Sequence, residues 1–145
     1  MAITNNAICN SFKQELLQAK HNFDTSPTGG KFKLALYEDT ATLGKSTTSY
    51  TTGAEASSPS GYTAGGGALV NSGTSLSVNT AITNYANFSF AGVTLTAKGA
   101  LIYNTSNADS AVCVLDFGGN KTATAGTFTV QFPAFTSSAA ILRIS

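Results

Sequence analysis

A chain of 145 residues is the length of one domain, and only 10% of it is charged, where a typical soluble domain carries roughly a quarter. The formal charge is +1, from 8 basic and 7 acidic residues. That balance argues against a nucleic-acid face, because phosphate binding needs clustered Lys and Arg. Here Lys13, Lys20, Lys31, Lys33, Lys45, Lys98, Lys121 and Arg143 are scattered along the chain.

A surface this poor in charge is weakly protected from self-association, so a chain covered in an assembly is the natural expectation. No window reaches the apolar length of a membrane span, and no membrane partner is expected. The start, MAITNNAICNSF, lacks the basic residues and long apolar stretch of a signal peptide. Cys9 and Cys113 make no disulfide framework. Cys113 lies in the apolar run Val112–Leu115 and reads as a buried free thiol. Asn87, Asn104 and Asn120 match the glycosylation pattern, as chance allows in so Asn- and Thr-rich a chain.

Residues 1–10 read as an N-terminal arm and Ser11 to Phe23 as one amphipathic helix. Phe12, Leu16, Ala19 and Phe23 recur at spacings of four, three and four, which places them on one face. Ile8 extends that stripe by a turn. Asn10 or Ser11 is positioned to cap the start, and Ser11 with Gln14 fits a capping box. A helix of this length must lay its stripe on a sheet or a neighbouring subunit.

Residues 31–145 read as an antiparallel β-sandwich or jelly-roll. Phe32, Leu34 and Leu36 alternate with Lys31, Lys33 and Ala35, as in a strand with one buried face. Residues 38–67 form a long polar loop, of a length that usually serves binding. Tyr50 and Tyr62 either pin this loop to the sheet or contact a partner chain. Short strands follow at Ala68–Val70, Thr74–Val78 and Asn87–Leu95. Ala97 to Phe117 is a hairpin with a polar loop at Asn104–Ser110 and apolar runs fit for a buried centre. A glycine-rich turn is expected over Gly118–Gly126, then a strand over Thr127–Phe132 ended by Pro133, and a last strand near Ala139–Ile144.

No catalytic pattern appears, and neither an enzyme, a cofactor nor a metal is expected. His21 is the one histidine and falls on the polar side of the helix, a solvated position. Asp116 sits between Leu115 and Phe117; it reads as a cap for the Gly118–Gly119 turn or a partner of Lys98 or Lys121. Gly118–Thr122, GGNKT, resembles a phosphate loop but has Asn120 where glycine must precede the lysine. The candidate functional residues are therefore those of an interface: Ile3, Ile8, Phe12 and Leu16 on the arm and helix, with Tyr50 and Tyr62 in the loop.

Five segments resemble a family of small tailed-bacteriophage virion proteins. They are FKLALY (Phe32–Tyr37), GYTAGG (Gly61–Gly66), AKGALIYN (Ala97–Asn104), AVCVLDFGG (Ala111–Gly119) and GTFTVQF (Gly126–Phe132). The resemblance also takes in the SFKQELLQAKHNF helix. It implies a β-rich capsid decoration (cement) protein, made in the bacterial cytoplasm and located on the capsid surface of the virion. Its partners would be the major capsid protein and further copies of itself, as a homo-oligomer and often a trimer. A tail or fibre-adaptor subunit is the alternative on the same fold. A carbohydrate-binding module is a further one, against which the absence of Trp weighs.

Overall fold

The computed structural model describes residues 3–145; Met1 and Ala2 of the expected arm lie outside the described residues. Among the described residues the protein is mainly β, with two antiparallel sheets and one short helix near the N-terminus. The elements run β1 (Ala7–Ile8), α1 (Asn10–Leu17), β2 (Phe32–Tyr37), β3 (Gly67–Ala68), β4 (Asn71–Ser77), β5 (Thr80–Tyr85), β6 (Phe88–Asn104), β7 (Ser110–Val130) and β8 (Leu142–Ile144). The large sheet has the order β1-β7-β6-β2-β3 and the small one β4-β5-β8.

The hairpin expected at Ala97–Phe117 is the inner half of a much longer ribbon. β6 and β7 stay paired from Asn104↔Ser110 out to Phe88↔Val130. The turn expected over Gly118–Gly126 is therefore a stretch of strand. Between Ala97 and Gly99, β6 advances two residues while β7 advances five, so Phe117–Asn120 bulges out of the ladder. A second bulge holds Ala125 at φ 45° and a third, on β6, holds Gly92 at φ 67°. Gly118 and Gly119 of the expected turn are thus bulge positions, the other use of glycine in a strand. β5 was absent from the expected strands. Its two-residue connection from β4, Val78-Asn79, lacks the glycine that usually announces a tight hairpin.

The helix is shorter than expected, ending at Leu17 in place of Phe23. The Ala19 N–H donates to the Leu16 carbonyl and the Lys20 N–H to the Glu15 carbonyl, with Ala19 at φ 57°. Those are the two bonds of a Schellman end, with alanine in the left-handed position that glycine normally takes. Cys9 is the N-cap, without a side-chain capping bond, so neither Asn10 nor Ser11 caps the helix. Phe23 still reaches the core, but along extended chain.

A run of rings joins the layers. Phe23 stacks on Phe32 at 4.8 Å, Phe32 meets Tyr85 of the small sheet at 5.6 Å, and Tyr85 meets Phe132 at 5.6 Å. Tyr85 is almost fully buried and its hydroxyl has no hydrogen-bond partner. An orphaned buried hydroxyl costs about 1–3 kcal/mol. Tyr85→Phe is therefore expected to raise stability by about 1 kcal/mol, read as a higher urea midpoint at unchanged slope. A lower midpoint would show that the hydroxyl contributes to the fold.

Candidate interaction surface

The six candidate interface residues divide by burial. Ile3, Phe12 and Tyr62 are buried within the chain, Leu16 and Tyr50 are half-buried, and Ile8 is exposed. Ile3 lies over Gly99, where a Cβ would run into both Ile3 and the Leu115 carbonyl. The described part of the arm is thus folded back: β1 pairs with Val114 and Cys113, and Ile3 covers the sheet. Ile8, Phe12 and Leu16 line one side of an apolar cleft of about 180 Å³, with Ala81, Leu142 and Ile144 of the small sheet opposite.

One carboxylate gathers three groups of the polar loop, which backbone bonds such as Ala56 N–H to the Leu36 carbonyl and Tyr50 N–H to the Asp109 carbonyl also tie to the sheet. Glu55 Oε1 accepts from the Tyr62 hydroxyl at 2.7 Å and the Gly65 N–H at 2.7 Å; its Oε2 accepts from the Tyr50 hydroxyl at 2.6 Å. The Tyr62 oxygen in turn accepts from the Leu36 N–H at 2.9 Å. Tyr50 stacks on Tyr103 at 4.8 Å, and the Tyr103 hydroxyl donates to the Gly65 carbonyl. Both tyrosines therefore pin the loop to the sheet. The serines of the loop serve its edge: Ser60 Oγ donates to the Gly92 carbonyl and Ser58 Oγ accepts from the Thr94 N–H.

His21 is not on a solvated surface, because the chain turns inward after the helix stops. Its side chain has no exposed surface and lies among Phe12, Phe23 and Phe32. The Ser106 N–H donates to Asn104 Oδ1, which turns the Asn104 amide nitrogen toward His21 Nδ1 at 3.0 Å. Nδ1 must accept, so Nε2 carries the proton and donates to Glu15 Oε2 at 2.7 Å. This line ties α1 to the β6–β7 turn and presents no atom to a substrate. His21→Ala is expected to cost about 2–3 kcal/mol, through a cavity and an orphaned Asn104 amide. A urea midpoint within error of wild type would contradict the assignment.

Asp116 has the structural role expected. Lys98 Nζ lies 2.9 Å from its Oδ1, and the Gly118 N–H donates to the same oxygen. The Lys98 hydrogen bond, helped by the Gly118 N–H, holds this carboxyl below the usual carboxylate range. Cys9 and Cys113 are free and buried. Burial raises the Cys9 thiol to about 11 and pushes Cys113 further up, so neither is a reactive thiolate. Among the described residues no group of three or more His, Cys, Asp or Glu side chains is placed to hold a metal. Among the described residues no helix is long and apolar enough to cross a membrane.

What remains is surface. A groove of about 750 Å³ runs beside β7, between Ala7 of β1 and the Ala139–Arg143 segment. Between Glu55 and Lys98 the sequence has no charged residue, so the whole β4–β5 hairpin and the outer part of β6 are uncharged. Leu76, Val78 and Ile144 stand exposed on the small sheet at 72%, 88% and 58%. The missing charge was legible in the sequence, but its concentration on the small sheet needed β5, which brings Leu76, Ala81 and Ile144 into one row. No protein-family model, no curated protein and no solved structure matches the chain.

Proposed function

We propose that this chain is a structural subunit of a tailed-bacteriophage virion: a capsid decoration protein that binds the outer surface of the major capsid protein shell and stabilises it. The observation that carries the reading is the uncharged surface between Glu55 and Lys98, with apolar side chains standing exposed on it. Large exposed apolar patches mark interaction surfaces. Contacts made through Thr and Ser hydroxyls and apolar side chains keep their strength in salt, because there is little ion pairing to screen. The ribbon offers such hydroxyls in cross-strand pairs, Ser89 with Thr129 and Thr96 with Thr122. Many weak copies on one lattice add by avidity. The polar clusters support the same reading, since the carboxylates of Glu15, Glu55 and Asp116 are engaged within the fold.

Virions made without the protein test the reading. They are expected to lose their genome at lower temperature and on milder osmotic shock, and to recover when purified protein is added back. Equal resistance with and without it would remove the cementing role.

A further inference from the structure

The edges of the two sheets are guarded unequally. β1 and β3 have two residues each, and β8 has three with Arg143 among them. Beyond β1, the edge of β7 is bulged, carries Lys121, and has its Asp116 N–H taken by Asn6 Oδ1. The outer edge of β6 is covered by Ser58 and Ser60. Short length, charge, bulges and cover are the ordinary protections of a strand edge.

β4 has such protection at one end only. Its start is bulged at Gly73 and tied down where Asn71 donates to the Asp24 and Gly30 carbonyls. Thr74–Ser77 is regular, uncharged and free of proline, with Thr74, Ser75 and Leu76 exposed and Ser77 half-buried. It leads into Val78, a β-branched residue held at φ 56° at the hairpin tip.

We propose that Thr74–Ser77 pairs antiparallel with the same segment of a second copy, joining two small sheets into one of six strands. Register follows from hydrogen-bond parity. In a two-residue hairpin the closing pair, Ser77 with Thr80, is hydrogen-bonded, so Ser75 and Ser77 direct their backbone groups to β5. Thr74 and Leu76 direct theirs outward. Four bonds form only when Thr74 of each copy meets Leu76 of the other, which puts Ser75 opposite its twin on the two-fold axis. That register costs nothing in like charge, because the segment has none. It also sets the two Leu76 side chains diagonally across the axis on one face, each at the end of its own Ile144–Ala81–Leu76 row. The occupant is therefore a second copy: outward donors and acceptors, charge and apolar row are all self-complementary.

The test uses free protein without any capsid, so its failure is separable from failure of shell binding. Ser75 and its twin form a non-hydrogen-bonded pair with Cα atoms about 4.5 Å apart, within disulfide reach. Ser75→Cys is expected to give a disulfide-linked dimer on mild oxidation, with a yield that rises with concentration. Ser77→Cys is expected to give at least tenfold less, since its twin would lie roughly 13 Å away. Adding Leu76→Lys to Ser75→Cys is expected to cut the yield at least fivefold at low salt. Circular dichroism and urea midpoints establish that each variant is folded. A folded Ser75→Cys protein that stays monomeric, a Ser77→Cys yield equal to it, or a yield indifferent to Leu76→Lys would each overturn the pairing.

Discussion

Tyrosinate is expected not to appear near pH 10 in the native protein, and to appear at higher pH together with unfolding. The chain has five tyrosines, Tyr37, Tyr50, Tyr62, Tyr85 and Tyr103, and burial raises every one above its ordinary value of 10.0. The Glu55 carboxylate adds to this, through direct hydrogen bonds to Tyr50 and Tyr62 and through its charge at Tyr37 and Tyr103. Tyr103 rises to about 12, Tyr37, Tyr50 and Tyr62 rise further, and burial holds Tyr85 well above its ordinary value. A folded-state value raised above the unfolded one gives stability that is fully present below the unfolded value and lost as pH rises through the folded one. For the tyrosines that window opens at pH 10. The Cys9 thiol, raised from 9.0 to about 11, opens its own window from pH 9. Urea midpoints are therefore expected to be unaffected by these groups below pH 9 and to fall steeply by pH 12. Five tyrosines titrating near pH 10 in the folded protein would contradict the packing described for all of them.

Glu55→Ala is the substitution expected to cost most, roughly 3–5 kcal/mol. It removes three bonds to a charged acceptor, each worth about 1.5–3 kcal/mol, and orphans the buried Tyr62 hydroxyl. Partial solvent access at Glu55 keeps the total below the full sum. Glu55→Gln retains one acceptor oxygen and is expected to cost about 1–2 kcal/mol, since hydrogen bonds to a neutral group are weaker. The two experiments are coupled. Without the carboxylate, tyrosinate should appear at lower pH in both variants, because Glu55 raises Tyr50 and Tyr62. A Glu55→Ala midpoint within about 0.5 kcal/mol of wild type would mean that the backbone bonds of the loop suffice to hold it without the carboxylate.

The class of fold was legible because its signal is patterned. Alternation over Phe32–Leu36 and the apolar runs flanking Asn104–Ser110 mark β2 and the inner halves of β6 and β7, which pair from Gly99↔Asp116 to Asn104↔Ser110. What escaped has a common cause: backbone conformations usually announced by glycine were taken by other residues, or the reverse. Ala19 ends α1 in the left-handed region without a glycine to announce it, so the stripe Phe12, Leu16, Ala19, Phe23 carries no sign that the helix stops at Leu17 and that His21 turns inward. Val78 turns the β4–β5 hairpin, so β5 was missed. Gly118, Gly119 and Gly126 lie within β7, so a strand of 21 residues was divided at a turn that does not exist.

The polar clusters were less legible still. Glu55 meets Tyr50, Tyr62 and Gly65 within one loop, but without a motif spacing that marks a carboxylate as a clasp. His21 and Asn104 are 83 residues apart and meet only because α1 packs beside the β6–β7 turn. By contrast, Lys98 with Asp116 follows from the hairpin itself, whose register sets Gly99 opposite Asp116. Contacts within one supersecondary unit can be read from a sequence; those that depend on how units dock cannot.

The central claim, a subunit that coats a capsid shell, is tested most directly by locating this chain in the virion by electron cryomicroscopy with a labelled copy. The account predicts label at repeating positions over the outer shell surface. Label confined to the tail or its fibres, or absent from purified virions, would contradict it.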